Sequence, residues 1–423
     1  MPPSVSCPQP KRVELGDLAP FEVAGRLRHL PGLVFFDSAL ETGSRGQISI
    51  VAAAPSEVIE GDLQRDFGRL QEAVRRRSKA PQADDGLPRG FAAGHVEYDG
   101  RFRFGFYDHA LFYRHGQESW DDLGGLSAEL REESVSRLAA GGPLDFQSQS
   151  SADEYCAMVR KAQDYIAAGD IYQVNLAHRF SASWDGDPFA LYEALRDYSP
   201  MPYAAYLDAG NRTILSASPE LFLKMSGRFV QTRPIKGTRP RRVDPHADEK
   251  SAYDLITSPK EISELVMITD LERSDLGQVC EIGSVAVKEL LALERYQQVF
   301  HLVSTVEGQL RREVDHVSAL RACFPGGSIT GAPKKRAREI IAELESIPRG
   351  PYTGAIGWFG FNGESQFNIT IRTVIVEEGH AHFHVGAGIV ADSVPEKEWQ
   401  ETLDKAAGVL LAARNLERGG NRT

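Results

Sequence analysis

The chain has 423 residues, 42% of them hydrophobic, with 48 Lys+Arg against 59 Asp+Glu and a formal net charge of -11. Enough apolar material is present for a large core, and the acidic balance is a poor match to nucleic acid or an anionic membrane surface. No basic start leads into an apolar run and no apolar run reaches about 18 residues, so neither export nor a membrane span is expected and the chain reads as cytoplasmic. Cys7, Cys156, Cys280 and Cys323 stand far apart without CxxC spacing, which suggests reduced thiols rather than a disulfide framework or a zinc site.

Residues 1–10 contain four prolines and little to bury, and a frayed start is expected there. Residues 33–38, 47–52 and the aromatic-rich 90–114 read as strands, separated by polar connectors at 78–89 and 141–151. The second connector is expected to divide an N-terminal subdomain, 11–140, from a larger region, 151–415. Ser151 and Glu154 form a capping box, and Tyr155, Met158, Val159, Ala162, Tyr165 and Ile166 make one helical stripe that stops at Gly169. A strand over 171–181 places Val174 and Leu176 on one face and Gln173 and Asn175 on the other. Residues 202–207 and 213–225 read as paired strands, and 227–230 can fold the chain back, bringing Glu220 towards Lys236.

The run Thr232-Arg-Pro-Ile-Lys-Gly-Thr-Arg-Pro-Arg241 holds one lysine between two prolines that bias their neighbours towards extended backbone, with Gly237 expected to allow a tight turn. Arg233, Arg239, Arg241 and Arg242 would surround Lys236 with like charge and favour a free, nucleophilic amine. Ser258, Pro259 and Glu261 open a helix in which Ile262, Leu265, Ile268 and Leu271 are buried. Glu261 and Glu264 share a face; capping explains Glu261, and nothing local explains Glu264. His301 lies on a strand over 299–306.

The glycine-rich run 324–334 ends in Pro333 at a helix start and is expected to expose amides to an anion, although it lacks the P-loop spacing. Residues 352–361 and 366–376 read as a hairpin about Asn362-Gly363, placing Arg372 on a polar strand face where burial would demand an anionic partner. Gly386 and Gly388 would let a ligand approach the backbone. On the last helix Glu398, Glu401 and Lys405 share a face opposite Trp399, Leu403 and Leu410.

The 232–241 run resembles the signature of the chorismate-utilising enzymes, and so do Ser218-Pro-Glu-Leu221, Asp270-Leu-Glu-Arg-Ser-Asp-Leu276, His301-Leu-Val-Ser304 and the glycine-rich run, with matches from about 170 to 408. The resemblance implies an α+β fold of two large, mostly antiparallel β-sheets packed as a sandwich with flanking helices, both parts of the chain interleaved. Residues 11–140 would be similar to the N-terminal part of anthranilate synthase component I, and 151–415 would bind chorismate. Lysine at 236 is typical of members that form 4-amino-4-deoxychorismate; anthranilate-forming members carry alanine there.

By the same resemblance Lys236 adds at C2, Glu220 is the general acid for the departing C4 hydroxyl, and His301 lies beside the ring. Gly237, Thr238, Ser328, Tyr352, Arg372, Gly386, Ala387, Gly388, Lys405 and Gln173 would surround the substrate. Glu264 and Glu401 would ligate Mg²⁺ with Glu261 and Glu398 in support, since two helices each offering an i,i+3 glutamate pair suit a hard cation that keeps waters. Ammonia would enter at C4 and expel the lysine, supplied by a separate glutaminase subunit because none of the four cysteines has a glutaminase-like setting.

Glutamine at 173 argues against water attack, which isochorismate- and salicylate-forming members promote with a lysine there. A non-catalytic carboxylate-binding protein would keep Arg372 and the glycine amides without needing Glu264 and Glu401. Asp37 and Ser38 match a position that helps form a tryptophan pocket in anthranilate-forming members. Their run departs from the usual Leu-Leu-Glu-Ser, and tryptophan as regulator, as structural ligand or as no ligand at all stays open.

Overall fold

The computed structural model describes residues 9–39, 47–78, 86–132, 142–296 and 299–416; most of the expected frayed start, with Cys7, lies outside them. Among the described residues two antiparallel sheets of 12 and 10 strands carry the fold, and strands from both ends of the sequence alternate within each. The centre of the larger sheet runs Val34–Asp37, Tyr203–Asp208, Arg212–Ser218, Thr373–Glu377, His380–Ile389 and Gln173–Ser183. The smaller sheet runs Leu221–Ser226, Glu364–Ile369, Ala355–Gly360, Phe91–Val96 and Arg101–Tyr107 towards one edge. At its other end Phe229–Arg233 and Ile235–Pro240 pair in succession along Val299–Gln309, whose second edge takes Ala286–Arg295.

Hydrophobic alternation drives the layering. Val34, Ile50, Phe112 and Ile375 of the larger sheet meet Phe91, Tyr107, Ile356 and Trp358 of the smaller in one buried cluster between them. The outer face of the larger sheet is covered by helices Pro188–Tyr198 and Pro395–Arg414, and that of the smaller by Phe67–Arg77 and His316–Cys323. The capping box at Ser151 forms, and Tyr155, Val159 and Ala162 of helix Ala152–Ala167 are buried.

Three strand expectations change. Residues 90–114 contain three strands, because turns at Gly100 and Asp108 break the aromatic run. The expected 213–225 strand is two, Arg212–Ser218 in the larger sheet and Leu221–Ser226 in the smaller, with Pro219 and Glu220 at the crossing. The expected 366–376 strand divides likewise: Glu364–Ile369 completes the hairpin with Ala355–Gly360, and Thr373–Glu377 joins the other sheet.

These two crossings lie side by side. Ile369 N–H donates to Glu220 O at 3.1 Å, Ala217 N–H to Arg372 O at 3.1 Å, and the buried Ser218 hydroxyl to Ile369 O at 2.6 Å. Arg372 is therefore not on a strand face: it sits at the crossing with φ of 50°. Among the described residues no helix is long and apolar enough to cross a membrane, and Cys156, Cys280 and Cys323 are free thiols.

Asp37 and Ser38 are committed locally. Asp37 Oδ2 accepts from Arg196 Nε at 2.8 Å and from the Tyr192 hydroxyl at 3.2 Å, and the Ser38 hydroxyl donates to Ile48 O at 2.7 Å. Asp37→Ala strands Arg196, whose side chain is 25% exposed, and should cost roughly 2–3 kcal/mol, read as a lower denaturant midpoint.

Candidate active site

A cavity of about 750 Å³ opens beside the paired crossings, lined among others by Glu220, Lys236, His301, Ser328, Tyr352, Arg372 and Glu401. The second crossing turns Arg372 into it. Among the described residues Arg372 makes no ion pair; its Nη1 donates to Met201 Sδ at 3.6 Å, and burial pulls its pKa below the ordinary value against the opposing pull of Tyr296 and Glu220. A buried guanidinium without a carboxylate is a receptor for an anion.

Lys236 lines the same cavity from strand Ile235–Pro240. Gly237 makes a β-bulge, not the expected turn: the register with Val299–Gln309 slips between Lys236 and Thr238, and Gly237 has φ of 72°. The bulge re-aims the lysine, whose Nζ donates to Ser328 O at 3.1 Å. A Cβ at Gly237 would lie 2.9 Å from Glu261 Oε2, so the glycine also lets helix Pro259–Gly277 approach.

Three of the four arginines expected around this amine have acidic partners of their own. Arg233 pairs with Glu294, Arg239 with Glu261 at 3.8 Å and Arg241 with Asp248 at 2.9 Å, because the same loop meets an acidic neighbour at each turn. Carboxylates face Lys236 instead: Glu220, Glu264 and Glu401 each feel its charge. Glu220 is buried at the first crossing, and burial raises its pKa against the opposing pull of Ser328 and Lys236. Such a carboxyl is poised to carry a proton. Thr238 and His301 Nδ1 share a 2.9 Å hydrogen bond, and His301 packs edge-on against Tyr296.

Strand His380–Ile389 supplies the opposite wall. Asn175 N–H goes to Thr330 O and Ala177 N–H to Glu345 Oε1, so neither bonds its cross-strand partner, Gly388 or Gly386. The amides of Gly386 and Gly388 thus turn away from Gln173–Ser183, while that of Ala387 faces Leu176 and is used in the ladder. Beyond Phe383 the other edge of this strand has no strand partner among the described residues, since Thr373 begins where the neighbouring chain crosses in. Two amides, not three, are open to a ligand. Tyr352 stacks on His384 at 5.2 Å, and its hydroxyl lies 3.0 Å from where a Cβ would stand on Gly386.

The glycine-rich run is packed rather than open. Cβ atoms would meet Ile369 at Gly326, Leu271 at Gly327 and Gln173 O at Gly331, all within 2.8 Å. Its glycines serve close packing, and Lys334 at the helix start is held by Asp275.

At one end of the cavity the two glutamate pairs face each other. Glu398 is buried, not solvated, and accepts from Ser393 Oγ at 2.8 Å; Glu401 pairs with Lys405 at 2.8 Å, and Lys405 also donates to Gly386 O at 3.0 Å. Burial opposes it, but Lys405 holds Glu401 below the usual carboxylate range, whereas burial lifts Glu264. Gln173 Nε2 reaches Glu264 Oε2 at 3.4 Å.

Between the pairs stands Lys260, unnoticed in the sequence although it lies four residues before Glu264. Among the described residues no three His, Cys, Asp or Glu side chains close around one point. Even so, Glu264 Oε1 and Glu398 Oε2 are buried without hydrogen-bond partners, and an all-carboxylate donor set fits a hard divalent cation. Met201, Tyr296 and His384 are further cavity residues with no local signal.

The family model for chorismate binding enzymes matches residues 41–411. The chain belongs to that family. It is 48% identical over 280 residues to anthranilate synthase component 1 of Thermus thermophilus, covering 66% of this chain and 61% of that protein. It is also 48% identical over 286 residues to aminodeoxychorismate synthase component 1 of Bacillus subtilis, covering 68% of this chain and 59% of that one. The chain thus spans about three fifths of the length of both relatives.

Among solved structures, anthranilate synthase component I from Streptococcus pneumoniae is similar, with a TM-score of 0.75 and 31% identity over 88% of this chain and 93% of that chain. The menaquinone-specific isochorismate synthase of Escherichia coli shares the fold, with a TM-score of 0.77 and 18% identity over 96% of this chain and 95% of that one.

Behind the chorismate binding enzyme's cavity, Glu272 is buried with Thr232 Oγ1 donating to it at 2.6 Å, and burial pushes its pKa up to about 8. A carboxyl raised in the folded state costs nothing while protonated and destabilises as it ionises. Stability should therefore fall as pH rises from about 4.5 to about 8, by at most roughly 1.4 kcal/mol per unit. Urea midpoints at pH 5 and pH 8 should differ less in Glu272→Gln than in the wild type.

Proposed function

We propose that this protein converts chorismate and ammonia to 4-amino-4-deoxychorismate. The observation that carries the reading is Lys236, its amine in the cavity with the buried acid Glu220 and with Arg372, which among the described residues forms no ion pair. Arg372, the Tyr352 hydroxyl and the amides of Gly386 and Gly388 bind and orient the carboxylates of chorismate. Glu264 and Glu401, supported by Glu261 and Glu398, would hold Mg²⁺, which when bound supplies charge to neutralise a substrate carboxylate.

The Lys236 amine forms a bond to C2, the double-bond electrons shift, and the C4–O bond breaks as Glu220 gives its proton to the departing hydroxyl, releasing water. Ammonia then bonds to C4, the electrons shift back, and Lys236 leaves as the free amine. His301, held by Thr238, lines the ring. Gln173 offers no base for water, which favours ammonia as the attacking species. The ammonia would come from a separate glutaminase subunit, consistent with relatives named as component 1 of their synthases.

A second reading, anthranilate formation, draws on the equal identity to a relative of that name. Purified protein with chorismate, Mg²⁺ and ammonium at alkaline pH separates the two by mass spectrometry. The expected product is aminodeoxychorismate, lowered by roughly 100-fold or redirected in Lys236→Ala. Anthranilate as the main product would replace the first reading with the second.

A further inference from the structure

Lys260 occupies an unusual place. It sits in the first turn of helix Pro259–Gly277, yet its Nζ donates to Glu398 Oε1 on helix Pro395–Arg414 at 3.0 Å and lies 3.9 Å from both Glu264 Oε1 and Glu401 Oε2. One ammonium thus bridges three carboxylates from two helices. We propose that Lys260 is the resident counter-ion of this acidic end, that a divalent cation displaces it, and that the lysine thereby sets the protein's metal affinity. This rests on the reading of Glu264 and Glu401 as cation ligands.

The geometry is that of a placeholder. Only one of the three contacts is a hydrogen bond, and Glu264 Oε1 and Glu398 Oε2 remain without hydrogen-bond partners. The ammonium balances charge without satisfying the oxygens, whereas a hard dication would take oxygen contacts of about 2.1 Å and draw the carboxylates together. Two cations cannot share that space, because their repulsion in a partly desolvated site is large.

Of the two lysines present, Lys260 is the one able to leave. The two side chains are similarly exposed, at 43% and 44%, but Lys260 is held by one hydrogen bond, to Glu398, and reaches solvent by rotamer changes, while Lys405 is tied to both Glu401 and Gly386 O. In the metal-free state Lys260 would keep Glu264, Glu398 and Glu401 from repelling one another. On cation binding it would swing out to the rim of the cavity.

Mn²⁺ binding to the full chain, followed by electron paramagnetic resonance without substrate, tests this. Lys260→Met should bind Mn²⁺ about tenfold more tightly than the wild type and melt at a lower temperature in chelator, with the difference removed by saturating Mn²⁺. Lys260→Arg, which keeps the charge, should bind no more tightly than the wild type. Lys397→Met, the same charge change on the cavity rim, should leave affinity unaltered and so exclude a general field effect. Equal affinities for folded Lys260→Met and wild type, or equal gains in Lys260→Met and Lys397→Met, would overturn the proposal. Failure of every variant to bind Mn²⁺ would overturn it together with the metal reading, while the product formed from chorismate is judged separately.

Discussion

The structure depends on the seam where two strands leave one sheet for the other. A strand that changes sheets must give up its ladder for a few residues, and the backbone groups released there need partners. Here the two crossings satisfy each other: Ser218 binds Ile369 O, Ile369 binds Glu220 O, and Ala217 binds Arg372 O. The seam is thus rigid, and it is also where neighbouring strands end early. An acid and a guanidinium are held at a gap in the sheet, where side chains and amides otherwise consumed by pairing can face a ligand.

Around that gap the charges alternate. Glu220 and Lys236 face each other across from Arg372; Glu264, Lys260, Glu398, Glu401 and Lys405 follow towards the rim. In a partly dry cavity such alternation keeps each group near compensation while leaving none fully paired. Arg372 is the exception, and its excess positive charge marks where an anionic substrate completes the pattern. Of the loop arginines around Lys236, Arg233 and Arg241 are engaged by Glu294 and Asp248, and Arg239 by Glu261 at the cavity wall, so each has an acidic partner of its own.

Local chemistry made part of this legible from the sequence. The Ser151 capping box, the Ser258 cap, the hairpin at Asn362-Gly363 and the inward alternation of the strands are written in adjacent residues, and they appear as expected. Sheet switching was not legible at 213–225 or 366–376, because apolar alternation continues through both crossings and only tertiary pairing reveals the break. The same limit hid Lys260. Its partner Glu264 is one helical turn away, but the meaning of the contact comes from Glu398 and Glu401, more than a hundred residues later in the chain. Ala387 was misjudged for a related reason: which amides of a strand are open depends on the neighbour's register.

The pairing of Gly388 with Gln173 has a consequence for how such a cavity can be altered. A Cβ on residue 388 would lie 2.4 Å from Gln173 Nε2, so the glutamine rests in the space that the glycine leaves vacant. These two positions on neighbouring strands form one steric unit, and residue 388 cannot gain a side chain without moving Gln173 at the wall that also presents the open amide of Gly388. A longer side chain at 173 inherits a groove already cut for it, whereas any side chain at 388 closes that groove. Chemical diversification of this wall is therefore directional: it can proceed through residue 173 while 388 stays glycine, whereas a side chain at 388 must first displace that of Gln173.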